Sequence, residues 1–122
     1  MRNDVVLALM FFLHIIDDFC IQGIMASMKQ KSWWQKDPVG SKPLYKYDYI
    51  AALLAHAFCW SFTTMIPVLI WGKWNFAILI FNMLLHAFID DMKANRGFIN
   101  LIADQSMHIV QIFIVWLFCV VV

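Results

Sequence analysis

The chain has 122 residues, of which 63% are apolar and 14% are charged. Soluble domains contain about 45–50% apolar and about 25% charged residues, so this composition excludes an ordinary soluble domain and indicates a membrane protein. All eight acidic residues are aspartates. Because glutamate is the usual carboxylate on the solvated surface of helices, its absence indicates that little helical surface is solvated. The formal net charge of +1 gives no basis for nucleic-acid binding, so no nucleic-acid partner is expected.

Four apolar segments follow one another along the sequence, at 5–26, 49–71, 74–90 and 99–122. Each is close to the roughly 20 residues that a helix needs to cross about 30 Å of hydrocarbon. Helices are expected because lone strands cannot satisfy their backbone groups in lipid. The sequence therefore predicts an all-α fold: one integral membrane domain over 1–122, built as a four-helix bundle with short loops.

The predicted connections between these segments differ in length and charge. The first, 28–48, is the only sizeable loop and carries five lysines, while a tight turn at 71–74 joins the second and third segments. Together with 91–97, the first loop places seven Lys/Arg residues on one side, against Arg2 and Lys73 on the other. The positive-inside rule therefore predicts that these seven residues face the cytoplasm and that both termini lie outside it.

Ionisable residues recur inside the predicted spans, where they are costly and commonly functional. In three spans a histidine and an aspartate lie four residues apart, a spacing that places both side chains on one face of a helix. These pairs are His14 with Asp18, His86 with Asp90, and Asp104 with His108. The second span contributes His56, which has no aspartate at this spacing. Antiparallel packing is expected to bring all of these residues to a similar depth near the cytoplasmic ends of the spans.

Imidazole and carboxylate groups together suit Zn²⁺, with Mn²⁺, Fe²⁺ or Mg²⁺ as alternatives. The three His/Asp pairs are therefore predicted to be ligands of one or two divalent ions. His56, Gln22 and Gln105 are predicted to be additional ligands or substrate contacts. Asp17 and Asp91 each lie next to one of the His/Asp pairs, and they are candidate catalytic bases that would deprotonate a metal-bound water molecule. For Asp91 the alternative is a solvated charge in a loop.

Three functions fit this pattern. The first is a membrane protein that binds a divalent metal ion. As an enzyme, this protein would be a metal-dependent hydrolase whose lipid-linked or headgroup substrate arrives laterally from the bilayer. The second is a small transporter or channel subunit that uses the His/Asp stripe for protons, metal ions or a small solute. A chain this short would need to form a homo-oligomer to enclose such a pathway. The third is a non-enzymatic membrane factor whose polar core fixes helix register and binds a partner span.

Four stretches of the sequence resemble the motifs of a known family. They are HIIDDFCIQ at 14–22, LLAH at 53–56, HAFIDDMK at 86–93 and DQSMH at 104–108. In order and spacing they resemble a family of small bacterial and phage membrane proteins classed as a domain of unknown function. The chain is also similar, more distantly, to inner-membrane metal-dependent hydrolases, which carry histidines and an H-x-x-x-D motif in short spans. The resemblance implies a polytopic membrane protein with a metal site.

Overall fold

The computed structural model describes residues 1–122 and contains helices but no strands. The six α-helices are α1 (Asn3–Ile16), α2 (Met25–Met28), α3 (Lys31–Gln35), α4 (Asp48–Trp71), α5 (Phe76–Ala94) and α6 (Leu101–Trp116). Two π-helical segments prolong α1 over Asp17–Ile21 and α6 over Leu117–Val121, and a 3-10 turn at Pro43–Tyr45 precedes α4. The predicted all-α class is confirmed.

The four long helices pack in a ring, in which α1 and α5 each contact both α4 and α6. Asparagines begin two of them: the side-chain oxygen of Asn75 accepts from the Ala77 N–H at 2.7 Å, and that of Asn100 accepts from the Ala103 N–H at 2.9 Å. These caps satisfy backbone donors that the first turn of a helix leaves free. They fix where α5 and α6 begin, directly after the short connections from the preceding helices.

The first helical segment ends earlier than the sequence predicts. Helical structure stops at Ile21, and Gly23 then adopts a φ of +51°, a left-handed conformation that glycine accepts without steric cost. The chain reverses there and returns through α2, which packs on α4. The predicted loop at 28–48 therefore starts against the end of the helix ring and contains α3 and a 3-10 turn before α4 begins.

The interior of the ring is apolar at one end and polar at the other. The apolar end is formed by Val6, Met10, Trp60, Met65, Val68, Leu79, Ile112, Val115 and Cys119. These residues come from the first half of α1 and α5 and from the second half of α4 and α6, so neighbouring helices run antiparallel. The opposite halves of the same helices line the polar end, where the histidines lie.

The outer surface of the ring is strongly apolar. The large apolar side chains of Phe19, Phe81 and Phe118 are 60%, 58% and 62% exposed. Polar side chains, in contrast, fill part of the interior. Two helical segments, Pro43–Trp71 and Leu101–Val121, are long and apolar enough to cross a membrane. They correspond to the second and fourth predicted spans. The first and third segments do not reach the same combination of length and hydropathy.

Candidate metal centre

The polar end of the ring contains every histidine of the chain together with three aspartates. The set is His14, Asp18, His56, His86, Asp90, Asp104 and His108, none of them more than 9% exposed. All four long helices contribute, with Asp18 on the π-helical extension of α1. Such groups are rarely buried unless they are paired or hold an ion.

His86 lies at the centre of a row of three imidazoles. Its Nε2 is 3.2 Å from Nε2 of His56, and its Nδ1 is 3.2 Å from Nδ1 of His108. The Trp60 indole stacks on the His86 ring with centroids 3.9 Å apart and planes 14° apart, which fixes the ring orientation. Each nitrogen–nitrogen contact needs one proton between the two rings or a cation that both nitrogens share. Both nitrogens of His86 therefore face nitrogen atoms that could also bind a metal ion.

The Asp90 carboxylate connects this row to the rest of the molecule. Its Oδ1 is 3.2 Å from His108 Nε2, and its Oδ2 is 3.2 Å from His56 Nε2. Lys29 Nζ donates to the same Oδ2 at 2.6 Å, in an ion pair whose two side chains are almost completely buried. One carboxylate from α5 is thus shared among groups from α4, α6 and the segment that follows α2.

The three predicted pairs do share helix faces, but their members are not each other's closest partners. The nitrogen–oxygen distances within the pairs are 3.7 Å for His14 and Asp18, 3.6 Å for His86 and Asp90, and 3.4 Å for Asp104 and His108. Good hydrogen bonds from nitrogen to oxygen are about 2.7–3.2 Å long. The shorter contacts of the cluster connect different helices, because side chains one turn apart point in parallel while facing helices converge.

A chain of hydrogen bonds fixes the state of His14. Trp60 Nε1 can only donate, and it donates to His14 Nδ1 at 2.9 Å, so His14 Nε2 carries the proton and donates to Gln105 Oε1 at 3.1 Å. The Gln105 amide nitrogen then donates to Asp18 and Asp104, each at 3.1 Å. Both nitrogens of His14 are therefore used in hydrogen bonds: Nδ1 accepts from Trp60, and Nε2 orients Gln105, which contacts two carboxylates.

Two overlapping sets of side chains have the geometry to hold a metal ion. Asp18, His56 and His86 form one set, and His86, Asp90 and His108 form the other, with the ligand atoms of each set within 4.8 Å of one another. Asp18 Oδ1 is buried and has no hydrogen-bond partner, so it is available to a cation. Four of the six predicted ligands thus lie in these sets, together with His56, which is predicted from the sequence only as an additional ligand or a substrate contact.

The other predicted site residues lie around these two sets. His14 and Asp104 are adjacent to them, and Asp104 forms an ion pair with Lys93. Gln22 accepts from Lys29 at 3.0 Å and donates to the Asp18 carbonyl oxygen at 2.6 Å.

The two candidate catalytic bases are placed differently from each other. Asp17 is 3% exposed but belongs to neither ligand set. Asp91 is bonded to Asn95 and Arg96, each at 2.8 Å, and the structure does not bring it to the histidines.

Three residues of the cluster are absent from the predicted set: Lys29, Trp60 and Lys93. Lys29 belongs in the sequence to a basic loop, yet its side chain is only 6% exposed, because the reversal at Gly23 turns it towards Asp90. The sequence could have predicted that Trp60 belongs to the cluster, because Trp60 lies one helical turn after His56 on α4. The sequence could also have predicted Lys93, because it is the last residue of the H-x-x-x-D-x-x-K stretch in the third segment.

A cleft between α1 and α6 reaches the edge of the cluster. It has a volume of about 360 Å³ and is lined by Phe11, His14, Ile15, Gln105 and Ile109. Its lining is predominantly apolar, and His14 and Gln105 are the lining residues with polar side chains. The cleft therefore borders two residues of the cluster on the side of the ring.

Replacement of Trp60 by phenylalanine tests the hydrogen-bond chain. The phenyl ring keeps an aromatic face for His86 but leaves His14 Nδ1 without its donor, so the free energy of unfolding is expected to fall by about 1–3 kcal/mol. Denaturant titration in detergent measures this change. The matched control is Trp116→Phe, which removes an exposed hydrogen bond of 2.8 Å to the Asn3 carbonyl and is expected to have a much smaller effect. Equal effects of the two substitutions would contradict the proposed importance of the His14 contact.

Comparison with known proteins shows to which family the chain belongs. No curated protein and no solved structure matches the chain. A family model described as "Protein of unknown function (DUF3307)" matches residues 6–122, which include the cluster and nearly all of the four long helices. The chain therefore belongs to the DUF3307 family of proteins of unknown function.

Proposed function

We propose that this protein is a membrane-embedded protein that binds a divalent metal ion in the buried His/Asp cluster. The observation that carries the proposal is the convergence of imidazole nitrogens and carboxylate oxygens into two overlapping sets that share His86, with the ligand atoms of each set within 4.8 Å of one another. A bundle interior needs apolar or mutually bonded groups, and a set of unpaired lone pairs is unfavourable there. A shared cation removes that conflict.

The donor atoms fit a divalent ion. Imidazole nitrogen and carboxylate oxygen are the usual protein ligands of Zn²⁺, which is the first choice, while a share of water ligands would suit Mn²⁺, Fe²⁺ or Mg²⁺. The unpartnered Oδ1 of Asp18 and the two nitrogen–nitrogen contacts of His86 are atoms that such an ion would satisfy. Gln105 and Trp60 support the ligands from outside, as hydrogen-bonding neighbours of metal ligands commonly do.

The membrane part of the proposal is supported by the distribution of polarity. The exposed face of the ring carries phenylalanine, isoleucine and leucine side chains, and the ionisable groups face inward. This arrangement suits a lipid environment, where interior polar groups bond to one another. We propose that all four long helices span the bacterial inner membrane, with both termini outside and the metal centre towards the cytoplasmic side, where the Lys/Arg residues of the loops lie.

The proposed activity is hydrolysis of a lipid-linked or headgroup substrate. The cleft between α1 and α6 would admit an acyl-linked molecule from the bilayer, because its lining is apolar except for His14 and Gln105. His14 and Gln105 would contact the polar part of the substrate there. A divalent ion would supply Lewis-acid polarisation of the scissile group. The supporting residues would hold the ligands in place and exclude bulk water.

A proton relay is the second candidate, and a specific observation favours it. His56, His86 and His108 form an unbroken row of contacts of 3.2 Å, and Asp90 contacts both ends of this row, also at 3.2 Å. Histidine and aspartate chains of this kind carry protons in membrane transporters. In this function the row of histidines would itself transfer protons, and no bound metal ion would be needed.

Metal content and activity distinguish the two candidates. Protein purified from membranes without chelator is expected to contain a stoichiometric divalent metal, and Asp18→Asn is expected to weaken its binding by about tenfold or more. The matched control is Asp17→Asn, which changes the adjacent buried aspartate and is expected to retain the metal. Stable protein that stays metal-free when Zn²⁺, Mn²⁺ or Fe²⁺ is supplied, but conducts protons in liposomes, would overturn the metal proposal in favour of the relay.

A further inference from the structure

A second cavity lies outside the metal centre, in the segment between α2 and α4. Its volume is about 380 Å³, and it is lined by residues of α3, of the stretch 40–46 that includes the 3-10 turn, and of the first turn of α4. The lining includes Lys31, Lys42 and Lys46 and no acidic residue, so the cavity has a net positive charge.

The three lysines have no carboxylate partner in the structure. The ion pairs to lysine and arginine involve Arg2, Lys29, Lys93 and Arg96. Lys31, Lys42 and Lys46 form none, although Asp37 and Asp48 are close in sequence. Positive groups gathered around a concave surface without a counter-ion attract an anion from outside the protein. The hydroxyl groups of Tyr45 and Tyr49 add hydrogen-bond donors suited to phosphate oxygens. The Ser41 hydroxyl already donates to the Pro38 carbonyl oxygen at 3.1 Å.

The shape of the cavity is fixed by close packing at Gly40. A Cβ at this position would lie 2.7 Å from the Trp34 carbonyl oxygen, so the two backbone segments can approach only because the residue is glycine. The Asp37 side chain accepts from the Gly40 N–H at 3.3 Å and supports the same turn. The cavity is therefore a folded feature of this loop.

The cavity is held at the end of the ring that contains the metal centre. The Lys31 N–H donates to Asn95 Oδ1 at 2.7 Å, and Asn95 Nδ2 donates to the Lys29 carbonyl oxygen at 3.1 Å. These bonds attach the start of α3 to the end of α5. Lys29 faces inward to Asp90, while Lys31 faces the cavity, so one short segment connects the two sites.

Side chains next to the cavity indicate a lipid source for the anion. Leu44 is 81% exposed and Val39 is 49% exposed, although both are apolar residues in a basic loop. Apolar and aromatic side chains interspersed with lysines are typical of a segment that lies on the surface of an anionic membrane. Tyr49, in the cavity wall, already belongs to the apolar helix α4, where aromatic residues mark the membrane interface.

We propose that this cavity binds the phosphate headgroup of an anionic phospholipid, which the three lysines and the aromatic side chains recognise at the membrane surface. The choice of a lipid rather than a soluble phosphate rests on the proposed membrane location. Binding there places a headgroup beside the segment that carries Lys29 into the metal centre. The cavity recognises charge, whereas the cleft between α1 and α6 is predominantly apolar.

Native mass spectrometry of the full chain in a neutral detergent tests this proposal. Phosphatidylglycerol is expected to bind at least about tenfold more tightly than phosphatidylcholine with the same acyl chains, because three lysines attract its net charge. The triple variant Lys31→Gln, Lys42→Gln, Lys46→Gln is expected to lose this preference. The matched control Arg2→Gln, Lys36→Gln, Lys73→Gln removes three positive charges that do not line the cavity, and it is expected to keep the preference.

Three outcomes would overturn the proposal. They are no preference in the wild-type protein, a preference that survives in the triple variant, and displacement of phosphatidylglycerol by inorganic phosphate at similar concentration, which would indicate a soluble ligand. Metal content measured on the same samples separates this proposal from the metal centre. A metal-free protein whose lipid preference depends on the three lysines would contradict only the proposed function, and a metalloprotein without that preference would contradict only the lipid site.

Discussion

Substitution of His86 by glutamine is expected to abolish stoichiometric metal binding, with a loss of affinity of about 100-fold or more. His86 is the one side chain shared by the two ligand sets, so its loss removes a donor from both. Changes to residues that merely support metal ligands already cost about 10–100-fold in affinity, and a shared ligand should cost at least as much. Glutamine is similar in length and polar, so it limits the disturbance of the stack on Trp60. Isothermal titration with Zn²⁺, together with metal analysis of the purified protein, measures the loss.

The matched control is the same substitution at His14. This histidine is also buried and also contacts Trp60, but both of its nitrogens are used in hydrogen bonds within the protein. His14→Gln is therefore expected to reduce affinity only by the smaller amount typical of a supporting residue. Thermal unfolding of both variants shows whether they are folded. A folded His86→Gln variant that binds metal like the wild type would rule out both ligand sets.

The second large effect is expected from substitution of Lys29 by methionine. The Lys29 ammonium and the Asp90 carboxylate are 2.6 Å apart, and their side chains are 6% and 2% exposed. Removal of one partner from a buried ion pair leaves an uncompensated charge and typically costs about 3–5 kcal/mol. Methionine retains the length and apolar stem of lysine, so the lost charge dominates the effect. The free energy of unfolding in detergent, measured without metal, should fall by this amount.

A double-mutant cycle with Asp90→Asn isolates the ion pair. When the carboxylate is neutral, the missing ammonium matters less, so the double variant should be more stable than the sum of the two single effects predicts. Lys31→Met, two residues further on and without an ion-pair partner, is the control and should change stability by about 0.5 kcal/mol or less. Saturating divalent metal is expected to recover part of the loss in Lys29→Met, since it supplies a cation near Asp90. Equal stability of Lys29→Met and Lys31→Met would contradict the buried ion pair.

The sequence is sufficient to predict those parts of the structure that depend on local periodicity. The lengths of the apolar segments predict the long helices, and the spacing of four residues predicts that Asp18 shares a helix face with His14 and Asp90 with His86. Both follow from helical geometry alone. The sequence pattern also predicts that polar residues from different helices face one interior, because an apolar exterior leaves them no other favourable place.

The closest partners within the cluster depend on tertiary packing and could not be predicted in this way. Asp90 is nearer to His56 and His108 than to His86, its predicted partner, because the offset between facing helices decides these distances. Lys29 could not be placed for a different reason. Its position depends on the reversal of the chain at Gly23, and a single glycine in an apolar stretch does not specify the direction of the turn that follows it.

In the proposed membrane location, the polar interior of the ring would also constrain how the chain enters the bilayer. Helix α5 carries Asn82, His86 and Asp90 on its buried face, and a single aspartate at a helix centre opposes translocon insertion by about 2.5–3.5 kcal/mol, with less effect near the helix ends. Helix α4 has only His56 among such ionisable groups beyond its first turn, and it is joined to α5 by four residues, 72–75. The two helices are therefore expected to insert together as a hairpin, in which the apolar α4 carries its polar neighbour into the lipid.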